Sequence, residues 1–330
     1  MRILLNNDIP VDDWGTFFSG NAFATPFQSY DFYNIACSSA GLSAEVVAVT
    51  DAGKILALAV ITLQKSPGLF AFFSRRAIIY GGPLADAACP EALDMLVGHI
   101  NGAFKGRAIY LETRNLSDYS GFKRIYDKKR WEYIPFLNFN LQTGDHEKMI
   151  KAVSDSRLRQ IKRAKASGVT WREAVSLEEV MAFFEILSEL YREKIRKPLP
   201  PYALFRMFFE KKFGIFLLVI YDKKIIGGIM CPVLEKKTIY EFYICGLDSV
   251  YREQCPSIMA TWAAMEYASE NGIQNFDFMG AGRPEENYGV RDFKARFGGE
   301  IVEYGRFLKI MKPLLYKTGT LAIRLLSRRK

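Results

Sequence analysis

The sequence predicts an α/β (α+β) chain built from two tandem copies of one unit, and three observations carry that prediction. Short helices, a β-meander, a helix and a strand follow one another in the first third, and the same order returns in the second half. Each meander opens on a hairpin with a short polar turn, Asp51-Ala52-Gly53-Lys54 in one copy and Asp222-Lys223-Lys224 in the other, which sets Asp222 where Asp51 stands. In both copies the helix after the meander leads into one more apolar strand. The likeness is one of pattern, not identity.

The elements follow in order. Trp14 to Phe18 and Phe27 to Ala36 read as short packing helices, with Ser29 or Asp31 available to cap the second. The apolar runs on either side of the Asp51 turn make a hairpin over 44–63, and Ala77 to Tyr80 adds a strand closed by Gly81-Gly82-Pro83. After Pro90, the spacing of Leu93, Leu96, Val97 and Ile100 is that of one helical face, and Ala108 to Leu111 returns as a strand. In the second copy the hairpin strands are Phe216–Tyr221 and Ile225–Met230, and Thr238–Cys245 is a third strand. A helix from Ser257 to Ser269 then precedes a strand at Phe276–Met279.

Between the copies, Ser154 to Gly168 reads as a helix with hydroxyl and carboxylate caps at its start and a glycine stop. Five of its residues are cationic (Arg157, Arg159, Lys162, Arg163 and Lys165), which fits either a solvated face or a surface that meets phosphates. The densest chemistry lies in 272–300. Phe276 and Phe278 share one face of a short buried strand, which leaves Asp277 on the other. Gly280 and Gly282 permit a sharp turn close to a ligand, and Arg291, Lys294 and Arg296 add positive charge. That set suits an anionic or polarised substrate.

Composition narrows the classes. A chain of 330 residues, 49% hydrophobic and 25% charged, has material for two globular domains of ordinary size. The net charge of +9 favours anionic partners: phosphates, nucleic acid or an acidic membrane surface. Five scattered cysteines with no Cys-x-x-Cys pair and no secretory leader fit reduced thiols in a cytoplasm. The longest apolar runs fall far short of the ~20 residues that span a bilayer, so a soluble or peripheral protein is expected. The two histidines, His99 in a helix and His146 beside a turn, stand in contexts that give no sign of catalysis.

Several stretches carry a family resemblance: Arg-Leu-Arg-Gln-Ile-Lys-Arg-Ala-Lys-Ala-Ser-Gly-Val at 157–169, Tyr243 to Leu247, Pro256-Ser257 leading to Trp262, Phe-Asp-Phe-Met-Gly-Ala-Gly at 276–282, and Tyr-Gly-Val-Arg-Asp-Phe-Lys-Ala-Arg-Phe-Gly-Gly at 288–299. Together they resemble the Fem (FemABX) family, over 150–306 and more weakly before it, where Ile79 to Leu84 is the clearest match. The resemblance implies two tandem GNAT-like (acetyltransferase-like) domains, each a mixed, mostly antiparallel sheet flanked by helices. The expected division is 1–145, 146–308 carrying the motifs, and a basic amphipathic tail, 309–330. It also implies an aminoacyltransferase of peptidoglycan synthesis with no tightly bound cofactor and no metal. Aminoacyl-tRNA would be the co-substrate, its acceptor end and a nucleotide- or lipid-linked cell-wall precursor the partners.

In the family, the Phe-Lys pair matching Phe293 and Lys294 contributes to transfer and holds the tRNA acceptor end. For the general base, Asp277, Glu241 and Glu112 all remain open. Glu112 is the nearest match to an acidic residue proposed in relatives, although its local motif differs. Tyr243, Glu241, Tyr288, Arg291, Arg296, Arg157 and Lys162 are the expected substrate contacts. A basic residue that grips the precursor in some relatives falls near Ala36 here. Ordinary acetyltransferases hold the coenzyme A pyrophosphate on an open glycine-rich backbone, whereas this chain has Arg252-Glu-Gln-Cys-Pro-Ser257, and Pro256 has no N–H to donate. The coiled-coil insert of some Fem proteins is absent. The tail, with seven cations among Leu, Ile and Met, fits either peripheral contact with an anionic membrane or a helix docked on the body. Two other functions fit the sequence: an acyl-CoA-dependent N-acyltransferase acting on an amino sugar of a surface polysaccharide, and a non-enzymatic RNA- or envelope-binding protein.

Overall fold

The computed structural model describes residues 1–64, 75–196 and 198–328, with side chains through Leu321. Arg329 and Lys330 of the basic tail, and the side chains of 322–328, lie outside the described residues. The first stretch holds β1 (Arg2–Leu5), α1 (Val11–Ser19), α2 (Tyr30–Ser38), β2 (Leu42–Asp51), β3 (Lys54–Gln64), β4 (Arg76–Gly81), β5 (Leu84–Ala85), α3 (Pro90–Ala103), β6 (Tyr110–Asn115), α4 (Lys123–Lys128) and β7 (Glu132–Ile134). Next come β8 (Leu137–Gln142), α5 (His146–Ala152), α6 (Asp155–Ala166), β9 (Thr170–Glu173), α7 (Leu177–Leu190), α8 (Tyr202–Glu210), β10 (Gly214–Tyr221), β11 (Lys224–Leu234), β12 (Thr238–Tyr240), β13 (Tyr243–Gly246), α9 (Pro256–Glu270), β14 (Asn275–Asp277), α10 (Gly289–Ala295) and β15 (Glu300–Glu303). The chain ends in β16 (Arg306–Ile310) and α11 (Pro313–Arg328).

Two compact units result, one of 1–135 with 304–330 and one of 136–303. Their sheets repeat each other. The first runs β1-β2-β3-β4-β6-β16-β7 and the second runs β9-β10-β11-β12-β14-β8-β15, with β5 and β13 as extra partners of β3 and β11. Among the described residues each has a single parallel pair at the same place, β4 with β6 and β12 with β14. The duplication and the mixed, mostly antiparallel sheets agree with the fold expected from sequence.

The unit borders differ from the expected 145 and 308, and strand pairing is the reason. In the first sheet the strand beside β6 is β16, which the chain supplies after completing the second unit. In the second sheet the matching place is taken by β8, which the chain supplies before that unit's own hairpin. Both are held by apolar packing. Phe307 of β16 is fully buried and stacks on Tyr126 at 3.8 Å, and Phe139 of β8 packs edge-on to Phe278. Truncating such a phenylalanine costs about 3–5 kcal/mol.

Both hairpins use two-residue turns with left-handed residues, Ala52-Gly53 and Asp222-Lys223, and both carry a register shift two residues before the turn, at Val49 and Val219. The shared shift aligns Asp51 with Tyr221. Asp222 therefore matches Ala52, one residue from the expected correspondence with Asp51. The helix expected over 27–36 begins only at Tyr30, where the Ser29 hydroxyl accepts from the Phe32 N–H. Helices α7 and α8 extend the second unit where the sequence reading named none. The cores lie between sheet and helices: α3 supplies Leu93, Leu96 and Val97 to the first, and α9, apolar nearly all round, supplies Met259, Ala263 and Met265 to the second.

Candidate active site

The strand expected over 238–245 is broken, and the break builds the site. Ile239 lies opposite Val233 and Tyr243 opposite Met230, so four steps on one strand match three on β11: one residue is bulged out. A bulge bends its strand and re-aims a side chain. Up to Tyr240 the strand is parallel to β14, and the Glu241 N–H still donates to the Asp277 carbonyl at 2.9 Å. Beyond that bond β13 pairs with β11 alone, and the two strands part. Glu241 stands at the fork.

Strand β14 also ends there, two residues earlier than expected. The Met279 N–H donates to Asp277 Oδ1 at 2.6 Å, a carboxylate-closed turn that holds Met279 at φ 53°. A left-handed non-glycine residue carries strain of order 1–3 kcal/mol. The return is geometric, because the carbonyls of Phe278 and Gly280 both face the Lys294 ammonium. Lys294 Nζ also pairs with Glu241 Oε1 at 2.9 Å, and both side chains are buried. Three acceptors use all three ammonium hydrogens. Thr261 donates to Glu241 Oε2 at 3.3 Å.

Asp277, buried at the fork, also accepts from Asn138 Nδ2 at 2.8 Å. Burial pushes its carboxyl up to about 6, against the pull of the Asn138 and Met279 hydrogen bonds and the Lys294 charge. That value suits a group that takes and returns protons near neutrality.

The neighbouring candidates hold the frame. Phe293 is half-buried beside Phe297, and Arg157 reaches it from α6. Arg291 donates to the carbonyls of Ala281, Arg283 and Pro284, so it staples the loop before α10. Tyr288 lies over Gly282, where a Cβ at the glycine's φ of 80° would meet the ring at 2.7 Å. Tyr243 is buried among Phe205, Phe242 and Tyr191. Lys162 and Arg296 are exposed, Lys162 on the outer face of α6.

The N terminus of α9 is closed from within. Asp248 accepts from the Ser257 N–H at 3.2 Å and from the Ser257 hydroxyl, Pro256 lacks an N–H, and Cys255 is left-handed at φ 48°. A carboxylate of the chain itself sits where a helix start would otherwise attract an anion.

Glu112, the candidate in the first unit, lies in a different setting. It accepts from Arg306 Nη1 at 2.8 Å and Arg114 Nε at 3.0 Å. Burial alone would raise its carboxyl; the two guanidiniums overcome that and hold it at about 2. Such a group is a counter-ion and a weak proton acceptor. His146 is exposed, its Nδ1 3.3 Å from the Ser269 hydroxyl, and His99 is half-buried in α3.

Of the expected residues, the second unit brings Glu241, Asp277, Lys294 and Phe293 together, with Arg157 and Arg291 behind them. The sequence reading missed Asn138, Asp248, Arg114 and Arg306. Asn138 carried a usable signal, since Leu137, Phe139 and Leu141 alternate as in a strand. Among the described residues no cluster of side chains fits a metal ion, all five cysteines are free, and no helix is long and apolar enough to cross a membrane.

The FemAB family model matches residues 226–324, which carry both the fork and the Phe-Lys pair. No curated protein sequence matches the chain. Among solved structures the fold is similar to that of FemX, with a TM-score of 0.71 at 14% identity over 96% of this chain and 99% of that one. A tandem GNAT protein from the clavulanic acid biosynthesis pathway matches with a TM-score of 0.58 at 11% identity over 94% and 99% of the two chains. L-PGS from Bacillus licheniformis gives 0.57 at 12% over 96% and 97%. The candidate site thus lies in a segment that matches the FemAB family, within a chain whose fold is similar to those of FemX and of a tandem GNAT protein.

Proposed function

We propose that this chain transfers an amino acid from aminoacyl-tRNA to an amine of a peptidoglycan precursor. The observation that carries the reading is the Glu241–Lys294 pair, buried at the fork of β12, β13 and β14 next to Asp277 and Phe293, inside the FemAB segment. The amine nitrogen attacks the ester carbonyl, a C–N bond forms, and the ester C–O bond breaks as the tRNA oxygen leaves. Asp277 takes the proton that the amine loses and returns it to the leaving oxygen. A substrate oxygen displaces the Gly280 carbonyl, the longest of the Lys294 contacts at 3.0 Å, and the ammonium then offsets the developing charge. The Phe293 ring offers the terminal base a stacking face.

The donor assignment rests on α9. With Asp248 on its N terminus and Pro256 in its first turn, the second unit lacks the open backbone that would hold a pyrophosphate. The acceptor assignment rests on the FemAB match. A cytoplasmic site of action and contact of α11 with the inner face of an anionic membrane fit the same reading: exposed Leu314 and Leu321 flank Lys317 on that helix.

Purified protein supplied with labelled aminoacyl-tRNA or labelled acetyl-CoA, and with nucleotide-linked and lipid-linked precursors as acceptors, tests the reading. Label moving from tRNA into a precursor is expected, with Lys294→Met abolishing it. Label moving from acetyl-CoA overturns the donor assignment.

A further inference from the structure

Of the five cations on α6, Arg157 alone is buried. Its guanidinium carbon lies 4.7 Å from the Phe293 ring centre and 4.5 Å from that of Phe297, so the charge packs against two aromatic rings. Nη2 donates to the Phe293 carbonyl at 3.0 Å and Nη1 to Gln160 Oε1 at 3.0 Å, while Nε is shut off from solvent with no acceptor. Among the described residues no carboxylate comes within ion-pair distance of it. Burial and the nearby Arg296 push its pKa down to about 10, which still leaves it charged at neutral pH.

A desolvated, unpaired charge is costly, and a leucine or methionine would fill the same space without that cost. What an apolar side chain cannot do is hold a ring plane and a carbonyl together. Helix α10 has only seven residues, and Phe293 lies in its last turn, where carbonyls have no partner within the helix. Arg157 takes the Phe293 carbonyl, and the Ser154 N–H at the start of α6 takes that of Arg296 at 3.0 Å. The first turn of α6 thus grips the end of α10, and the residue gripped is covalently next to Lys294.

We propose that Arg157 is a positioning residue, which fixes the Phe293 ring and through it the Lys294 ammonium at the fork. This rests on the reading above, in which Phe293 and Lys294 serve transfer. It assigns α6 two separate faces: an inner arginine that orders the site, and outer cations, Arg159 and Lys162 among them, that remain available to phosphates.

The test uses the full-length protein with Arg157→Ala and Arg157→Lys, each alone and combined with Phe293→Ala. Arg157→Ala should lower kcat 10- to 100-fold with KM for donor and acceptor changed less than about 3-fold, since misplacement by about 1 Å costs rates of that order. Guanidinium ion at millimolar concentration should restore at least ~10-fold of the loss, and methylammonium should not. In the Phe293→Ala background, removing Arg157 should cost no more than about 3-fold further. Equal losses in both backgrounds, or an unchanged kcat in a folded variant, would overturn the proposal. Hydrogen exchange gives a readout that does not need transfer: amides 289–296 should exchange at least ~10-fold faster in Arg157→Ala than in the parent protein, with the sheet unchanged. If the parent protein transfers from no donor, the functional reading fails, and the exchange result alone decides whether Arg157 orders α10. Should Arg157→Ala not fold, Arg157→Lys takes its place, with faster exchange expected and unchanged exchange counting against the proposal.

Discussion

Replacing Lys294 by methionine should destabilise as well as inactivate, and the two effects are separable. The substitution keeps the length of the side chain and removes its charge. It leaves the Glu241 carboxylate, 5% exposed as a residue, with the Thr261 hydroxyl at 3.3 Å, and it strips the Phe278 and Gly280 carbonyls of their shared donor. Removing one member of a buried ion pair typically costs about 3–5 kcal/mol. Replacing both members by neutral groups costs far less, so Lys294→Met/Glu241→Gln should recover to within about 1–2 kcal/mol of the parent protein. Urea unfolding at pH 7.5, followed by a probe in the second unit so that its transition is read by itself, measures both differences. Transfer should be absent from the single and the double variant alike. A single variant as stable as the parent, or a double variant no better than the single, would refute the inference that the pair is desolvated and mutually compensating.

The Asp277 carboxyl, near 6, should give the rate a rising limb centred at about pH 6, and Asp277→Asn should remove that limb with a loss of 10²-fold or more. Its linkage has the sign of a cost: a folded value raised from 3.8 to about 6 means that stability falls as pH rises across that window, by about 3 kcal/mol, so Asp277→Asn should be the more stable protein above pH 6 in urea titrations. Glu112 has the opposite sign: lowered from 4.5 to about 2, it stabilises the first unit above pH 4.5 by about 3 kcal/mol, and that is lost as pH falls toward 2. Acid unfolding of Glu112→Gln should lack this dependence and start from a less stable neutral state, because Arg114 and Arg306 lose their shared carboxylate.

The sequence by itself determined what is local or periodic. The two hairpins, α3, α9 and the Phe276 strand follow from apolar spacing and turn residues acting over a few positions, and the repeat of their order carries the duplication. The Phe293–Lys294 pair was legible as a motif, and Pro256 as a residue that cannot offer an N–H. Only the tertiary structure decided which strands complete each sheet. β8 and β16 are short, and each pairs with strands more than a hundred residues distant, a choice that sheet register settles and no local propensity encodes. It also decided what each charge meets. On α6, Arg157 and Arg159 are two residues apart and alike in sequence, yet one is buried against two phenylalanine rings and the other faces water. Glu112 and Asp277 are both strand carboxylates, and their proton affinities part in opposite directions because two guanidiniums surround one while burial dominates the other. Electrostatic character depends on distance and solvent exclusion, which the fold sets by bringing remote residues together.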